Sequence, residues 1–587
     1  MYRPVLDAVS GSLVLTALVA MLPLLTLFVL LGVLRMAAWK AALVALVISL
    51  LVAIVAYSMP AGQALLAGSQ GAAFGFFPIL WIVINAIWVY NMTVVTGHFD
   101  VLRRSFAKVS DDQRIQAVIV AFCFGGLLEA LAGFGTPVAI SSVMLIALGF
   151  KPIKAAVVAL VANTAPVAFG ALAVPITTLA ATTGLPEMEL SQIVGRQTPI
   201  LALFVPMALV FIIDKGKGVR QTLPATLTCG ITFAIAQFVT SNYISPQLTD
   251  IVASLVAAAS VVLLLRVWRP AAPYVEAPEL DTAAGESATA AASGSSRASV
   301  AVGAAGTTGA AGATGDSVDH PIGKGTGTAA ELAARDRDHH DSGSDVFKAY
   351  APYLIIIAVF SLAQLPAIKD ILAAPTQAFQ WPGLDLQTAS GKPSTLPTFR
   401  LNWLASGGTL LILAGLLTIP IIGISGAKAF KAYLGTFVQL RFAIITVMAV
   451  LGLAYVMNSS GQTATLGLWM AGAGAAFALL SPILGWLGVA VTGSDTSSNA
   501  LFGALQVSAA NKTGLSPALM AAANSSGGVL GKMISPQNLA IAAAAVGMSG
   551  KEGDIFRKVI GWSLGFLVLM MALVYLQSTP VLSWMLP

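Results

Sequence analysis

The chain has 587 residues, of which 57% are hydrophobic and only 10% charged, against roughly 25% charged in a soluble domain, so water is excluded as its main solvent. The net charge of +6 is uneven: residues 268–348 hold six Lys/Arg against eleven Asp/Glu and leave the remainder at +11, a basic balance that suits loops facing anionic lipid and calls for no nucleic-acid partner. Two cysteines inside apolar segments, and four histidines of which three share one polar stretch, exclude a disulfide framework and make a metal site or other cofactor unexpected.

In chain order, apolar runs at 12–34, 41–57, 200–213, 222–239, 252–265, 404–422 and 560–576 approach or exceed the length that crosses a hydrocarbon core of about 30 Å as a helix. The first run is too long for a secretory signal, and its basic flank, Arg35 and Lys40, follows it, so it reads as a retained helix. Residues 270–345 are Ala/Gly/Ser/Thr-rich and low in complexity, the composition of a disordered connector. The chain therefore divides into a first membrane repeat with two additional helices (1–267), a cytoplasmic linker (268–348) and a second membrane repeat (349–587). Basic residues collect in short cytoplasmic loops. Arg35/Lys40, Arg103–Arg114, Lys215–Arg220 and Arg266/Arg269 fall inside on that rule, with 60–70 outside and the N-terminus outside. After the linker, Lys348, Lys428/Lys431 and Lys551–Lys558 fall inside and 369–400 outside, so the second half starts on the opposite side from the first.

Motif order supports the same division. Asn163, Gly170 and Pro175 have the spacing Asn-x6-Gly-x4-Pro, which Asn524, Gly531 and Pro536 repeat. Upstream, Gly133-x-x-Thr136 matches Gly493-x-x-Thr496, and between them Gly149-x-x-Pro152 matches Gly514-x-x-Pro517. One such match among common residues means little. Three in order, with opposite starting sides, predict an all-α polytopic membrane protein built from two inverted-topology repeats, with the substrate site near the bilayer midplane.

Residues 133–137, 163–166, 493–499 and 524–528 interrupt apolar runs. Lipid cannot satisfy the backbone groups that such breaks free, so they must be buried in protein or line a wet cavity. This predicts re-entrant hairpins with tips at 133–137 and 493–499, and broken helices at 163–166 and 524–528; residues 115–132 are also long enough to be a full crossing. Half-helix N-termini suit an anionic carboxylate, and Thr136, Asn163, Thr164, Thr496, Ser497, Ser498, Asn499, Asn524, Ser525 and Ser526 add donors and acceptors. Close helix packing would explain any single small residue, but four polar clusters in two matched pairs argue for a site.

Glu129, Asp495 and Lys532 are ionisable groups inside apolar surroundings, which is costly and usually functional. Desolvation favours the neutral form of an acid, so Glu129 and then Asp495 are the candidate proton carriers. A structural pair between Asp495 and Lys532 is an equally good reading of those two, whereas Glu129 has no evident local partner. An enzyme would need a nucleophile–base pair or metal ligands converging on one site. The apolar regions offer neither, and a transporter is expected.

The strings Glu129-Ala-Leu-Ala-Gly-Phe-Gly-Thr-Pro137, Asn163-Thr-Ala-Pro-Val-Ala-Phe-Gly170, Gly493-Ser-Asp-Thr-Ser-Ser-Asn-Ala-Leu-Phe-Gly503 and Ala523-Asn-Ser-Ser-Gly-Gly528, continuing to Lys532-Met-Ile-Ser-Pro-Gln-Asn538, resemble the bacterial lactate permease family. The resemblance covers both halves; the linker, longer and richer in Ala and Gly than the family suggests, is the main departure. It implies proton symport of L-lactate, with D-lactate and glycolate as further family substrates, through a multi-pass protein of the bacterial inner membrane. Lactate, the proton and membrane lipid are the implied partners. A similarity to the broader group of inverted-repeat ion transporters implies an elevator-type motion and a homodimer. Under this reading Lys532 joins the substrate-binding set, and Thr136, Thr496, Ser497 or Ser525 would read the 2-hydroxyl. A sodium-coupled carrier of small carboxylates is the alternative, because Ser/Thr/Asn clusters and backbone carbonyls at broken helices also suit Na⁺.

Overall fold

A computed structural model describes residues 1–275 and 341–587, apart from 35, 108, 132, 134, 364, 389, 390, 392, 395, 549 and 550. Most of the expected linker, 276–340, lies outside the described residues. Among those described, ten helices are long and apolar enough to cross a membrane, and the protein is a predominantly helical, multi-pass membrane protein. The expected runs become helices such as Leu13–Phe28, Ala38–Val55, Thr249–Val267, Gly407–Ile422 and Glu552–Gln577. The runs at 200–213 and 222–239 belong to one element, Glu187–Val239, bent where Asp214 and Lys215 leave helical geometry. The two short strands described, Gln377–Gln380 and Thr398–Leu401, pair antiparallel.

Segments that the charge rule assigns to one side meet one another. Tyr2 bonds through its backbone to Asp385 and Gln387, Gln63 donates to the Gly383 carbonyl at 2.8 Å and Gln70 to that of Leu396 at 2.8 Å. The N-terminus, 60–70 and 369–400 thus share one face. On the other face, Arg104 pairs with Asp341 at 2.5 Å. Arg114 there bonds Asp112 at 2.7 Å, Asp214 at 2.9 Å, Gln221 at 2.6 Å and the Ala272 carbonyl at 2.8 Å.

Two helical hairpins are described. In the first, Gln113–Leu131 is followed at Gly133 and Gly135, both left-handed, by Thr136–Ala147. Gln113 Nε2 donates to the Leu148 carbonyl at 2.8 Å and Ser141 Oγ to that of Val120 at 3.5 Å, so the second arm returns along the first and the two outer ends meet. In the second, Phe477–Thr492 turns at Gly493 into Asp495–Thr513. Ser498 Oγ bonds the Gly485 carbonyl at 3.2 Å and Gln506 Nε2 that of Ser481 at 3.0 Å, the same antiparallel return.

Each hairpin leads into an interrupted helix. Pro152–Ala162 and Val167–Thr183 are bent by 62°, with Ala171, Leu172 and Ala173 in left-handed conformation. In the second half the interruption differs from expectation: 524–528 lies within the unbroken helix Pro517–Gly531, and the break follows at 532–535, before Pro536–Ala545. The helix continues through Asn524-Ser-Ser-Gly-Gly because its glycines are spent on close packing. A Cβ at Gly527 would stand 2.2 Å from the Pro482 carbonyl oxygen and one at Gly531 2.3 Å from that of Trp486, backbone-to-backbone contact of the kind small residues allow in membranes.

Candidate functional site

The hairpin tips and interrupted helices converge. A Cβ at Gly135, in the first tip, would meet Ile541 Cδ1 at 2.4 Å and Asn538 Oδ1 at 3.4 Å, and Asn538 Nδ2 donates to the carbonyl of Gly493, in the second tip, at 3.4 Å. Both tips therefore pack on the start of Pro536–Ala545. The start of Asp495–Thr513 is capped by Ser494 Oγ, which accepts from Ser497 N at 3.2 Å. That of Pro536–Ala545 is capped by Ser535 Oγ, which accepts from Asn538 N at 3.3 Å.

Lys532 stands at the second break and donates to Glu129 Oε1 at 2.5 Å, joining the arm of the first hairpin to the second interrupted helix. Its side chain is 9% exposed and that of Glu129 4%. Of the two readings offered for Lys532, a structural pair with Asp495 is replaced by a pair with Glu129, which has no local partner but does have a distant one. The partner is 403 residues away in sequence, beyond the reach of any local reading. Glu129 lies against Gly170, where a Cβ would come 2.7 Å from Oε1, so a glycine is needed where the first interrupted helix passes the carboxylate. Asp495 has the same relation to Gly528, whose Cβ would stand 2.3 Å from Oδ1.

Asp495 instead anchors a polar cluster within the second half. Its Oδ2 accepts from Ser525 Oγ at 2.6 Å and Asn499 Nδ2 at 3.3 Å. Asn524 Nδ2 donates to Asn499 Oδ1 at 2.9 Å and, longer, to Ser498 Oγ at 3.5 Å, while its Oδ1 accepts from Gln506 at 3.2 Å. Asn499 crosses to the first half: Nδ2 donates to the Pro175 carbonyl at 3.1 Å, and its own carbonyl accepts from Thr182 Oγ1 at 3.3 Å.

The remaining expected residues divide by what their polar atoms do. Thr164 Oγ1 is bonded back to the Val161 carbonyl at 2.8 Å and is spent on its own helix. Thr136 is buried in the first turn after the first tip, and Ser497 is buried and Thr496 half-buried beside the second. Both amide atoms of Asn163 and the hydroxyl of Ser526 are buried with no hydrogen-bond partner among the described residues. Val167–Phe169, just after Asn163, packs against Pro517–Gly531.

Gln506 in the Asn524 cluster, Asn538 at the two tips, and Asp250 with Gln237 beside the first break were not singled out from sequence. Asp250 borders the apolar run 252–265, where an acid reads as a charge at the membrane interface. Its 1% exposure is the structural fact that reading lacked.

A family model described as L-lactate permease matches residues 16–306 and 322–581. The chain is 39% identical to an L-lactate permease of Bacillus subtilis (strain 168), covering 99% of this chain and 98% of that one. It is also 39% identical to glycolate permease GlcA of Escherichia coli (strain K12), over 98% and 97%. Among solved structures, Neisseria gonorrhoeae MtrF, described within a class of antimetabolite efflux pumps, aligns with a TM-score of 0.45 at 12% identity, covering 87% of this chain and 83% of that one.

Proposed function

The chain belongs to the L-lactate permease family, and from that premise we propose that it carries lactate, with glycolate as a second substrate, by proton symport across the bacterial inner membrane. The observation that carries the coupling is the Lys532–Glu129 contact of 2.5 Å. Lys532 is the one buried lysine among the described residues, and the buried Arg114 is already held by Asp112 and Asp214. A lactate carboxylate that enters must therefore share a single cation with Glu129.

Two desolvated carboxylates cannot both be anionic beside one ammonium without a large cost. Lactate binding to Lys532 thus requires Glu129 to take a proton, and the loaded site holds Lys532 cation, lactate anion and neutral Glu129. Substrate and proton then move together, because either alone leaves a buried charge unbalanced. The helix starts at Thr136, Asp495 and Pro536 add favourable dipoles for the carboxylate. Asn163, whose side-chain amide has no hydrogen-bond partner among the described residues, joins Thr136, Thr496, Ser497 and Ser525 as a reader of the 2-hydroxyl, while Asp495, held by Ser525 and Asn499, is a second acid of the site. The hairpin tips are taken to meet near the bilayer midplane, as the matched motif order of the two halves suggests.

The test is accumulation of labelled lactate in proteoliposomes under an imposed pH gradient, with and without Na⁺. Accumulation that follows the pH gradient and ignores Na⁺ supports the reading; uptake that needs Na⁺ and ignores the gradient overturns it.

A further inference from the structure

We propose that Asp250 is the acid through which the proton reaches Glu129, an inference that rests on the proton-coupled reading of the Glu129–Lys532 pair. Asp250 stands in the first turn of Thr249–Val267 and is 1% exposed. Its Oδ1 accepts from Gln237 Nε2 at 3.2 Å, and the same nitrogen donates at 3.3 Å to the Ala165 carbonyl, inside the first helix break. Thr198 Oγ1, whose single proton is shared between the Val194 carbonyl at 3.1 Å and Gln237 Oε1 at 3.4 Å, lies beside the amide oxygen. Asp250 Oδ2 has no hydrogen-bond partner among the described residues, and neither has Glu129 Oε2.

The two acids face one another across a helix contact. Ala272 and Tyr274, just past the end of Thr249–Val267, bond Arg114 and Gln113 at the start of the first hairpin arm. Farther along, a Cβ at Gly126 of that arm would stand 2.6 Å from Ser254 Oγ. The two helices therefore run antiparallel. Glu129 lies one turn beyond Gly126 and Asp250 one turn before Ser254, which puts them at the same level. Among the described residues Asp250 makes no ion pair, and Lys532 already holds Glu129. A buried carboxyl without a cation costs least in its neutral form, and in this relay Asp250 is the protonated acid, as intramembrane carboxyls in proton relays are.

When lactate takes Lys532, Glu129 is left anionic opposite a protonated Asp250. The O–H bond at Asp250 Oδ2 breaks and one forms at Glu129 Oε2, directly or through a water. Asp250, now anionic, is reprotonated by hydronium reaching the start of its own helix: an O–H bond of hydronium breaks, one forms at Asp250 Oδ2, and water is left; Gln247 Nε2, in the turn before that helix, donates to Glu187 Oε1 at 2.8 Å, as does Thr177 Oγ1 at 3.0 Å.

The test compares Asp250→Asn with Glu129→Gln and Asp250→Glu in proteoliposomes, measuring lactate exchange and pH-gradient-driven net uptake separately. Because Asp250 is neutral at rest, its amide isostere should fold and still exchange labelled lactate, while net uptake falls by roughly 100-fold, the scale of a lost acid–base group; Asp250→Glu should regain most of it. Unchanged net uptake, equal loss of exchange and net uptake, or failure of Asp250→Asn to fold each overturns the assignment. If Glu129→Gln itself keeps gradient-driven accumulation, the proton-coupled reading falls and Asp250 with it. If Glu129→Gln loses accumulation while Asp250→Asn keeps it, the assignment of Asp250 alone falls.

Discussion

Lys532 and Glu129 are worth more as a pair than either is alone, because removing one partner leaves the other as an uncompensated buried charge at a cost of about 3–5 kcal/mol. Glu129→Gln should lower the unfolding midpoint, and lactate should restore it more than it stabilises the parent protein, since the substrate supplies the missing anion. Lys532→Gln should lower the midpoint with no such restoration; thermal unfolding with and without lactate checks both. Gly528 has a related role, since the Cβ of Gly528→Ala would meet Asp495 Oδ1 at 2.3 Å and overpacking of this kind costs about 1–3 kcal/mol. Gly565→Ala, on an exposed helix face with nothing within 4 Å of the added Cβ, should be neutral or stabilising; unfolding midpoints of the two variants compare them. At this scale the sequence singled out Glu129, Asp495 and Lys532 as ionisable groups in apolar surroundings, and all three are buried, but it offered Asp495 rather than Glu129 as the partner of Lys532. Charge inside an apolar run is visible in one dimension, but a contact between residues 403 apart depends on how the two halves dock.

The elements carry the second level of the account. Both helical hairpins follow from Gly-rich interruptions whose tips demand left-handed backbone at Gly133, Gly135 and Gly493, a conformation that costs glycine little. The first break, at Asn163, was equally legible, because Pro166 and Gly170 punctuate an otherwise apolar helix. The second was misplaced by several residues. Small polar residues read as a break in sequence, yet here Asn524, Ser525 and Ser526 project from an intact helix, and the interruption waits for Ser535-Pro536, where proline cannot continue the helical hydrogen-bond ladder. At its outer end the first hairpin is fastened by Arg114, which joins it to the bend at Asp214 and to the segment 268–275. Arg114→Gln would leave Asp112 buried without its bidentate partner. The variant should lower the unfolding midpoint and open cleavage at 268–275 to protease sooner than in the parent, which limited proteolysis read by mass spectrometry can follow.

For the whole molecule, positively charged loops divided the chain into two groups of segments; the N-terminus, 60–70 and 369–400 of one group meet, and in the other 103–114 meets Asp214, Ala272 and Asp341. In a protein carrying Cys123→Ala and Cys229→Ala, a cysteine placed at Pro382 should react with a membrane-impermeant maleimide added from outside cells, whereas cysteines at Lys217 and Ser344 should react only after the membrane is opened. The same reagent pattern reversed would invert the orientation. In the proposed mechanism, the balance of buried charge across the two halves ties substrate to proton: one lysine, one glutamate and an incoming carboxylate. The most direct measurement of that claim is proton uptake on lactate binding to the purified protein, read by calorimetry in buffers of different ionisation enthalpy. The account predicts about one proton taken up per lactate bound, because two carboxylates share one cation, and close to none for Glu129→Gln; lactate binding to the parent protein without proton uptake would contradict it.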